Sequence, residues 1–260
     1  MKQKIILGAA IGDIAGSVYE FEYGKKPTKK EAIIFRKKSI WTDDTVMTCA
    51  IADWAKKGMK DNAEQYLKKW GSRYPYAGYG ARFVCWIGTR SGTKIDSFGN
   101  GSAMRISPIA YYAKSEEELI KAAILATDNS HMHSESFKAA ITVSVMIYRA
   151  LHGATKEELR EYALSQYDFE SLDYDEMRRF EGHGEEICQV TVPQALWAFF
   201  HSDSFEDCLR TCISIGWDCD TLSAIACSIA EAYYKDIPQY MIDYATRVLT
   251  PDMVDALTIR

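Results

Sequence analysis

The chain has no apolar run of the roughly 18 residues that a membrane-spanning helix needs. It has no excess of positive charge either. Its 31 basic and 36 acidic residues give a net charge of −5, so the electrostatic footprint of a nucleic-acid binder is missing. The one basic cluster, Lys25-Lys26-Pro27-Thr28-Lys29-Lys30, is short and broken by Pro27, and reads as a solvated loop. No period-two alternation marks a β-strand, no segment repeats, and no linker divides the chain. A disulfide framework is also lacking. The seven cysteines (Cys49, Cys85, Cys188, Cys208, Cys212, Cys219 and Cys227) are an odd number and lie mostly in apolar patterns, so they read as reduced thiols of a cytoplasmic protein. Cys208 and Cys212 are one helical turn apart, but no second pair completes a zinc site. Lys2 and Lys4 ahead of an apolar run imitate a secretion signal, yet Asp13 cuts the run short and the pattern continues as a helix.

What the chain does have is helical periodicity. Its length and its 47% apolar content are enough for a large core. Apolar residues at helical spacing predict helices over residues 5–20, 43–57, 61–70, 116–126, 134–152, 155–166, 190–201, 205–215, 221–234 and 238–249. The expected architecture is one all-α domain, 1–260, of about ten helices. Within the first helix Gly8, Gly12 and Gly16 share one face. Each costs about 1 kcal/mol relative to alanine, so three in register point to a close backbone approach. Residues 71–101, rich in Gly, Tyr and Ser, read as a long binding loop, and the acidic stretch 168–186 as a surface loop.

Two acidic clusters stand out. Thr42-Asp43-Asp44-Thr45 and Asp218-Cys219-Asp220-Thr221 each open a helical pattern, and each offers two carboxylates and a hydroxyl. Taken singly, either is explained by capping, since Asp and Thr satisfy the free N–H groups of a first turn. Taken together, they form a hard-oxygen set suited to Mg²⁺ or Mn²⁺, and a pair of such ions is an established device for hydrolysis. The pairing requires that the fold bring the two clusters together. Cys219, between two proposed ligands, reads as a small side chain pointing away.

Three further constellations carry chemistry. Glu20 ends the first helical segment, where a carboxylate can serve as a general base or simply lie on the surface. Ser97-Phe98-Gly99-Asn100-Gly101-Ser102-Ala103-Met104-Arg105 is a small-residue loop whose backbone N–H groups can approach a diphosphate, although it lacks the Lys-Ser/Thr ending of a P-loop. In Ser130-His131-Met132-His133-Ser134-Glu135, His131 reads as a substrate contact, and His133 is left open between ligand and helix start.

These motifs, in this order and over nearly the whole chain, resemble the ADP-ribosylglycohydrolase family, which includes the dinitrogenase reductase-activating glycohydrolase. Residues 12–20 resemble its first helix and catalytic glutamate loop. Thr42-Asp43-Asp44-Thr45 resembles its first metal motif, residues 97–105 its ADP-ribose loop, residues 130–135 its Thr-His-x-His-Pro-Glu segment, and Gly216-x-Asp218-x-Asp220-Thr221 its second metal motif. The resemblance implies a single compact, orthogonal multi-helix bundle with a binuclear metal site. It implies two Mg²⁺ (or Mn²⁺) held by Thr42, Asp43, Asp44, Asp218, Asp220 and Thr221. It also implies Glu20 with Asp43 or Asp44 as catalytic groups, and an ADP-ribose site of Ser97, Phe98, Gly99, Asn100, Gly101, Ser102 and His131. The implied reaction is hydrolysis at C1″, with ADP-ribose released from a modified protein side chain or another acceptor.

Departures from the family pattern bear on the substrate. Trp217 and Cys219 stand where the second motif usually has glycine and a hydroxyl residue, and Ser134, Ser136 and Ala139 replace a usual proline and two glycines. Trp217 is expected beside the metals, narrowing the pocket or stacking on a ligand. Two other functions compete: a non-catalytic ADP-ribose or nucleotide binder of the same fold, and a two-metal hydrolase of phosphate esters.

Overall fold

The computed structural model describes residues 4–21, 26–179 and 186–259. Fourteen α-helices and a 3₁₀ turn, Ser107–Tyr111, account for the regular structure among them. Extended pairing is limited to two isolated bridges, Ile5 with Thr258 and Gly99 with Ile187. In chain order the helices are α1 Gly8–Gly16, α2 Asp43–Lys56, α3 Glu64–Arg73, α4 Ala81–Ile87, α5 Gly101–Met104, α6 Glu116–Thr127 and α7 Ser134–Leu151. They continue with α8 Lys156–Gln166, α9 Tyr174–Arg179, α10 Cys188–Phe200, α11 Phe205–Ile215, α12 Cys219–Tyr234, α13 Gln239–Val248 and α14 Pro251–Leu257.

Local chemistry places the helix starts. Thr155 and Glu158 form a reciprocal capping box at α8. The hydroxyls of Ser115 and Ser204 accept from Glu118 N and Asp207 N at the starts of α6 and α11. His133 turns out to be a cap, its Nδ1 accepting from Glu135 N at 3.2 Å.

Helix α12 is buried along nearly its whole length and packs against α1, α7, α10 and α11. The glycine face of α1 is what lets it lie so close. A Cβ on Gly8 would come 2.5 Å from Cys227 O, one on Gly16 would come 2.5 Å from Asp220 Cα, and Gly12 lies equally tight on Ser223. Glu231 of α12 closes the pair at the other end, its carboxylate accepting from Leu7 N and Gly8 N at 3.1 and 2.8 Å. One continuous apolar cluster runs through these helices. Full burial of each large side chain within it contributes on the order of 1.5–3 kcal/mol.

Three segments differ from the sequence expectation. The 71–101 stretch contains α4, anchored by buried Trp86. The 168–186 stretch contains Phe169, fully buried, and α9, anchored by Met177; its residues 180–185 lie outside the described set, as does Lys25 of the basic cluster. Helix α14 begins at Pro251, past the predicted end of regular structure. Six cysteines are buried as expected, but Cys85 is exposed on α4, and all seven are free thiols. No helix among the described residues is long and apolar enough to cross a membrane.

Candidate active site

The two acidic clusters meet. Thr221 Oγ1 donates to Asp44 Oδ2 at 3.1 Å, and Thr42 Oγ1 lies 3.4 Å from Asp220 Oδ2. Asp43, Asp44, Asp218, Asp220 and Thr221 share the floor of one cleft of about 430 Å³, within the usual range for small-molecule sites. Thr42 stands just behind that floor, its hydroxyl taken up by Asp13 and by the cap to Asp44 N.

Asp13 organises the first cluster, a role the sequence did not reveal. It is fully buried in α1, yet its carboxylate accepts from Thr42 N, Thr42 Oγ1, Thr45 N and Thr45 Oγ1. It therefore caps α2 from a neighbouring helix and fixes the direction of the Asp43-Asp44 turn. A lone carboxylate in the apolar, glycine-striped stretch of residues 8–16 was the available signal.

The acids lack counter-charge. Burial, then its like-charged neighbours, pushes the Asp43 carboxyl up to about 8. Burial, then Asp13 and the other acids, raises Asp44 well above the ordinary range, and Asp220 is raised by burial, then Asp44 and Asp218. Asp218 is raised less, because Asn100, Asp220 and Thr221 offset its burial with hydrogen bonds. Asp13 rises to about 6, its four donors opposing the effect of burial. Asp44 Oδ1 is buried and has no hydrogen-bond partner among the described residues. An orphaned carboxylate oxygen amid hard-oxygen groups is what a divalent-cation site leaves when its ion is not drawn. Among the described residues, however, no three His, Cys, Asp or Glu side chains already stand in a finished ligating set.

Glu20 reaches the cleft from the turn after α1. Partial enclosure, then the charges of Asp218, Asp13 and Glu186, raises it to about 7. Phe21 N donates to Trp217 O at 2.8 Å, tying this turn to the second acid cluster.

The small-residue loop forms the opposite wall, with Ser97, Phe98, Gly99, Asn100 and Gly101 all on it. Phe98 is 42% exposed and meets His133 edge-on at 5.3 Å. Asn100 has a different task from the one expected: its amide donates to Asp218 Oδ2 and to Thr191 Oγ1, so it ties the loop to the second acid cluster. Ser102 lies off the wall, its Oγ donating to Ser136 O at 3.1 Å behind the loop. Ser136, at a usual glycine, also donates to Ser97 O at 2.8 Å and braces the loop. His131 lies on the wall, buried, with Nδ1 3.0 Å from Ser130 Oγ; burial, then the Arg105 charge, holds it well below the ordinary histidine value. Phe83 and Arg82 of α4, Arg105 and Glu186 complete the lining; they reach it through tertiary packing with no local motif to mark them.

Trp217 does not narrow the cleft. Its Nε1 donates to Met177 O at 3.2 Å and Lys26 Nζ sits 3.5 Å over its ring, so the indole packs on the far side of the turn. Its backbone has φ +64°, beside Gly216 at +79°. That left-handed region is glycine's territory, which accounts for the glycine usual there and makes Trp217 locally strained. Cys219 likewise turns inward, its Sγ toward Cys212 O.

The profile of the ADP-ribosylglycohydrolase family matches residues 3–258. The ADP-ribosyl-[dinitrogen reductase] glycohydrolase of Rhodospirillum rubrum is 29% identical over 89% of this chain and 85% of its own length. The ADP-ribosylarginine hydrolase Tri1 of Pseudomonas putida is 25% identical over 88% of this chain and 69% of its own. Mouse ADP-ribosylhydrolase ARH3 is 25% identical over 90% and 84%. A solved structure titled ADP-ribosylglycohydrolase-related protein complex shares the fold, with a TM-score of 0.68 at 24% identity over 97% of this chain and 93% of that one. The chain belongs to the ADP-ribosylglycohydrolase family and is a hydrolase of glycosidic bonds.

Proposed function

We propose that this protein hydrolyses the C1″ glycosidic bond joining ADP-ribose to a modified protein side chain, with two Mg²⁺ or Mn²⁺ ions shared between its acid clusters. The observation that carries the reading is the junction of Asp44 with Thr221 beneath a ligand-sized cleft, with Asp44 Oδ1 left unpartnered. Thr42, Asp43, Asp44, Asp218, Asp220 and Thr221 would hold the ions. Ions held there supply two things: a fixed orientation of the distal ribose hydroxyls and a lowered pKa for a water.

The chain's own groups do the rest. A glycosidic bond breaks through an oxocarbenium-like state at C1″. Water oxygen bonds to C1″, the acceptor leaves with the bonding electron pair, and one proton passes from the water. Glu20, balanced near 7, can take that proton at neutral pH, with Asp43 or Asp44 as the alternative base. The backbone of residues 97–101 takes the diphosphate, and the exposed face of Phe98 gives an aromatic surface beside it. Glu20 and Glu186 make the cleft acidic beyond the cluster itself, which favours a cationic acceptor such as an arginine guanidinium over a serine oxygen. Free thiols throughout fit a cytoplasmic setting.

ADP-ribosylated arginine and serine peptides, incubated with the protein in Mg²⁺ or in EDTA, test the reading. Free ADP-ribose is expected with Mg²⁺ and not with EDTA, faster from the arginine peptide. Binding of ADP-ribose without release from either peptide would establish the non-catalytic binder instead. Release of phosphate would establish a phosphoesterase.

A further inference from the structure

Arg105 is the least easily explained side chain in the protein. It is 1% exposed, and its Nε and Nη1 have no hydrogen-bond partner among the described residues. Only Nη2 is engaged, donating to Ala126 O at 3.1 Å and Ser130 Oγ at 2.7 Å. No carboxylate pairs with it. A buried guanidinium with most of its donors idle is costly, so what its one engaged nitrogen does deserves a physical account.

The Ser130 contact leads into the cleft. A guanidinium can only donate, so Ser130 Oγ accepts from Arg105. The single hydroxyl proton of Ser130 then has one acceptor within reach, His131 Nδ1 at 3.0 Å. An Nδ1 that accepts carries no proton, so the neutral ring carries it on Nε2. Nε2 makes no hydrogen bond to the described protein, and it lies against the small-residue loop. A Cβ added to Gly101 would sit 3.0 Å from it, and one added to Gly99 would sit 3.7 Å away. The absence of side chains at Gly99 and Gly101 leaves that N–H open to the cleft.

We infer that Arg105 and Ser130 are positioning residues that lock His131 as the neutral Nε2–H tautomer and so present one N–H donor to the diphosphate lying on the 97–101 loop. The inference rests on the proposed ADP-ribose site for the identity of the ligand, but the relay itself does not. The idle guanidinium nitrogens are consistent with it: the charge is needed for its one directed donor and for keeping a second proton off His131.

The experiment uses the whole protein labelled with ¹⁵N-histidine and two-bond ¹H–¹⁵N spectra, with the His131 signal identified by its loss in His131→Asn. In the unaltered protein the His131 ring should show a protonated Nε2 and a bare Nδ1, and keep that pattern about one unit below the ordinary histidine value of about 6.5. In Ser130→Ala the lock is removed. The ring should then populate the Nδ1–H form, and the Kd for ADP-ribose should rise about tenfold, the scale of one good hydrogen bond at about 1.4 kcal/mol. The maximal rate should change far less than KM. A protonated Nδ1 in the unaltered protein overturns the inference, and that reading needs neither a variant nor a ligand. So does an unchanged Kd in a folded Ser130→Ala. Failure of the unaltered protein to release ADP-ribose would count against the proposed function and leave the tautomer result standing.

Discussion

Thr221 Oγ1 donates a hydrogen bond to Asp44 Oδ2 at 3.1 Å, joining the start of α12 to the start of α2 across 177 positions of sequence. This bond occupies one oxygen of Asp44 and leaves the other buried and unpartnered. It is also where α1, α2 and α12 come together, because Asp13 holds the α2 turn from one side while Gly16 lets α12 approach from the other. The acid cluster therefore depends on helix packing as much as on its own residues.

The metal-free protein should lose stability as pH rises. Asp43 at about 8, Glu20 at about 7 and Asp13 at about 6 all lie above their unfolded values, so the folded state binds more protons than the unfolded chain between about pH 4 and pH 8. Stability from these groups is greatest below that window and falls through it. Thermal melts in EDTA should show Tm declining from pH 5 to pH 8 in the unaltered protein, and less steeply in Asp43→Asn. Excess Mg²⁺ should restore much of the loss.

Asp218→Ala or Asp220→Ala should abolish the metal-dependent thermal stabilisation by ADP-ribose. At ligand about a hundredfold above Kd, that stabilisation is worth about 2.7 kcal/mol in the unaltered protein. Metal-free melting should change little or rise, because each substitution removes a buried acid repelled by its neighbours. Differential scanning fluorimetry with and without Mg²⁺ reads both.

Glu20→Gln should cut kcat by about 10²–10⁴ and leave ADP-ribose binding in place. Glu20 lies at the mouth of the cleft, outside the junction of Asp44 with Thr221. Steady-state kinetics paired with calorimetric binding separates the two effects.

Gly12→Ala should destabilise the fold by about 1–3 kcal/mol, since a methyl there meets the Ser223 carbonyl of α12 and forces the helices apart. Urea unfolding measures the loss. The same variant should weaken Mg²⁺ binding although no ligand has changed.

Trp217→Gly should alter kcat/KM by less than about tenfold, because the indole packs on Met177 and Lys26 and not on the cleft. The kinetics of the variant on ADP-ribosylated peptides check this.

Much of this architecture can be read from the sequence where its cause is local. Helix α11 occupies Phe205–Ile215 as its spacing predicts, because Ser204 caps it and Gly216, with positive φ, stops it. The Gly8-Gly12-Gly16 stripe correctly announces a backbone approach, though not that α12 supplies the neighbour. Helices α4 and α9 escape notice because each is short, half-exposed and held by one or two apolar side chains, too few to establish a period. Asp13 escapes because its role depends on donors 29 and 32 positions away. Asn100 and Ser102 sit in a motif that reads as ligand-binding, yet their side chains brace the loop against Asp218 and Ser136. Motif spacing identifies the residues of a site, while the division of labour between wall and brace is set by tertiary contacts.

The most direct measurement is anomalous diffraction from crystals grown with Mn²⁺ and ADP-ribose. The account predicts Mn²⁺ peaks between the starts of α2 and α12, with Asp44 and Asp220 oxygens at about 2.0–2.2 Å, the range of small hard cations. Crystals of an active protein with ADP-ribose in the cleft and no anomalous peak between those aspartates would contradict it.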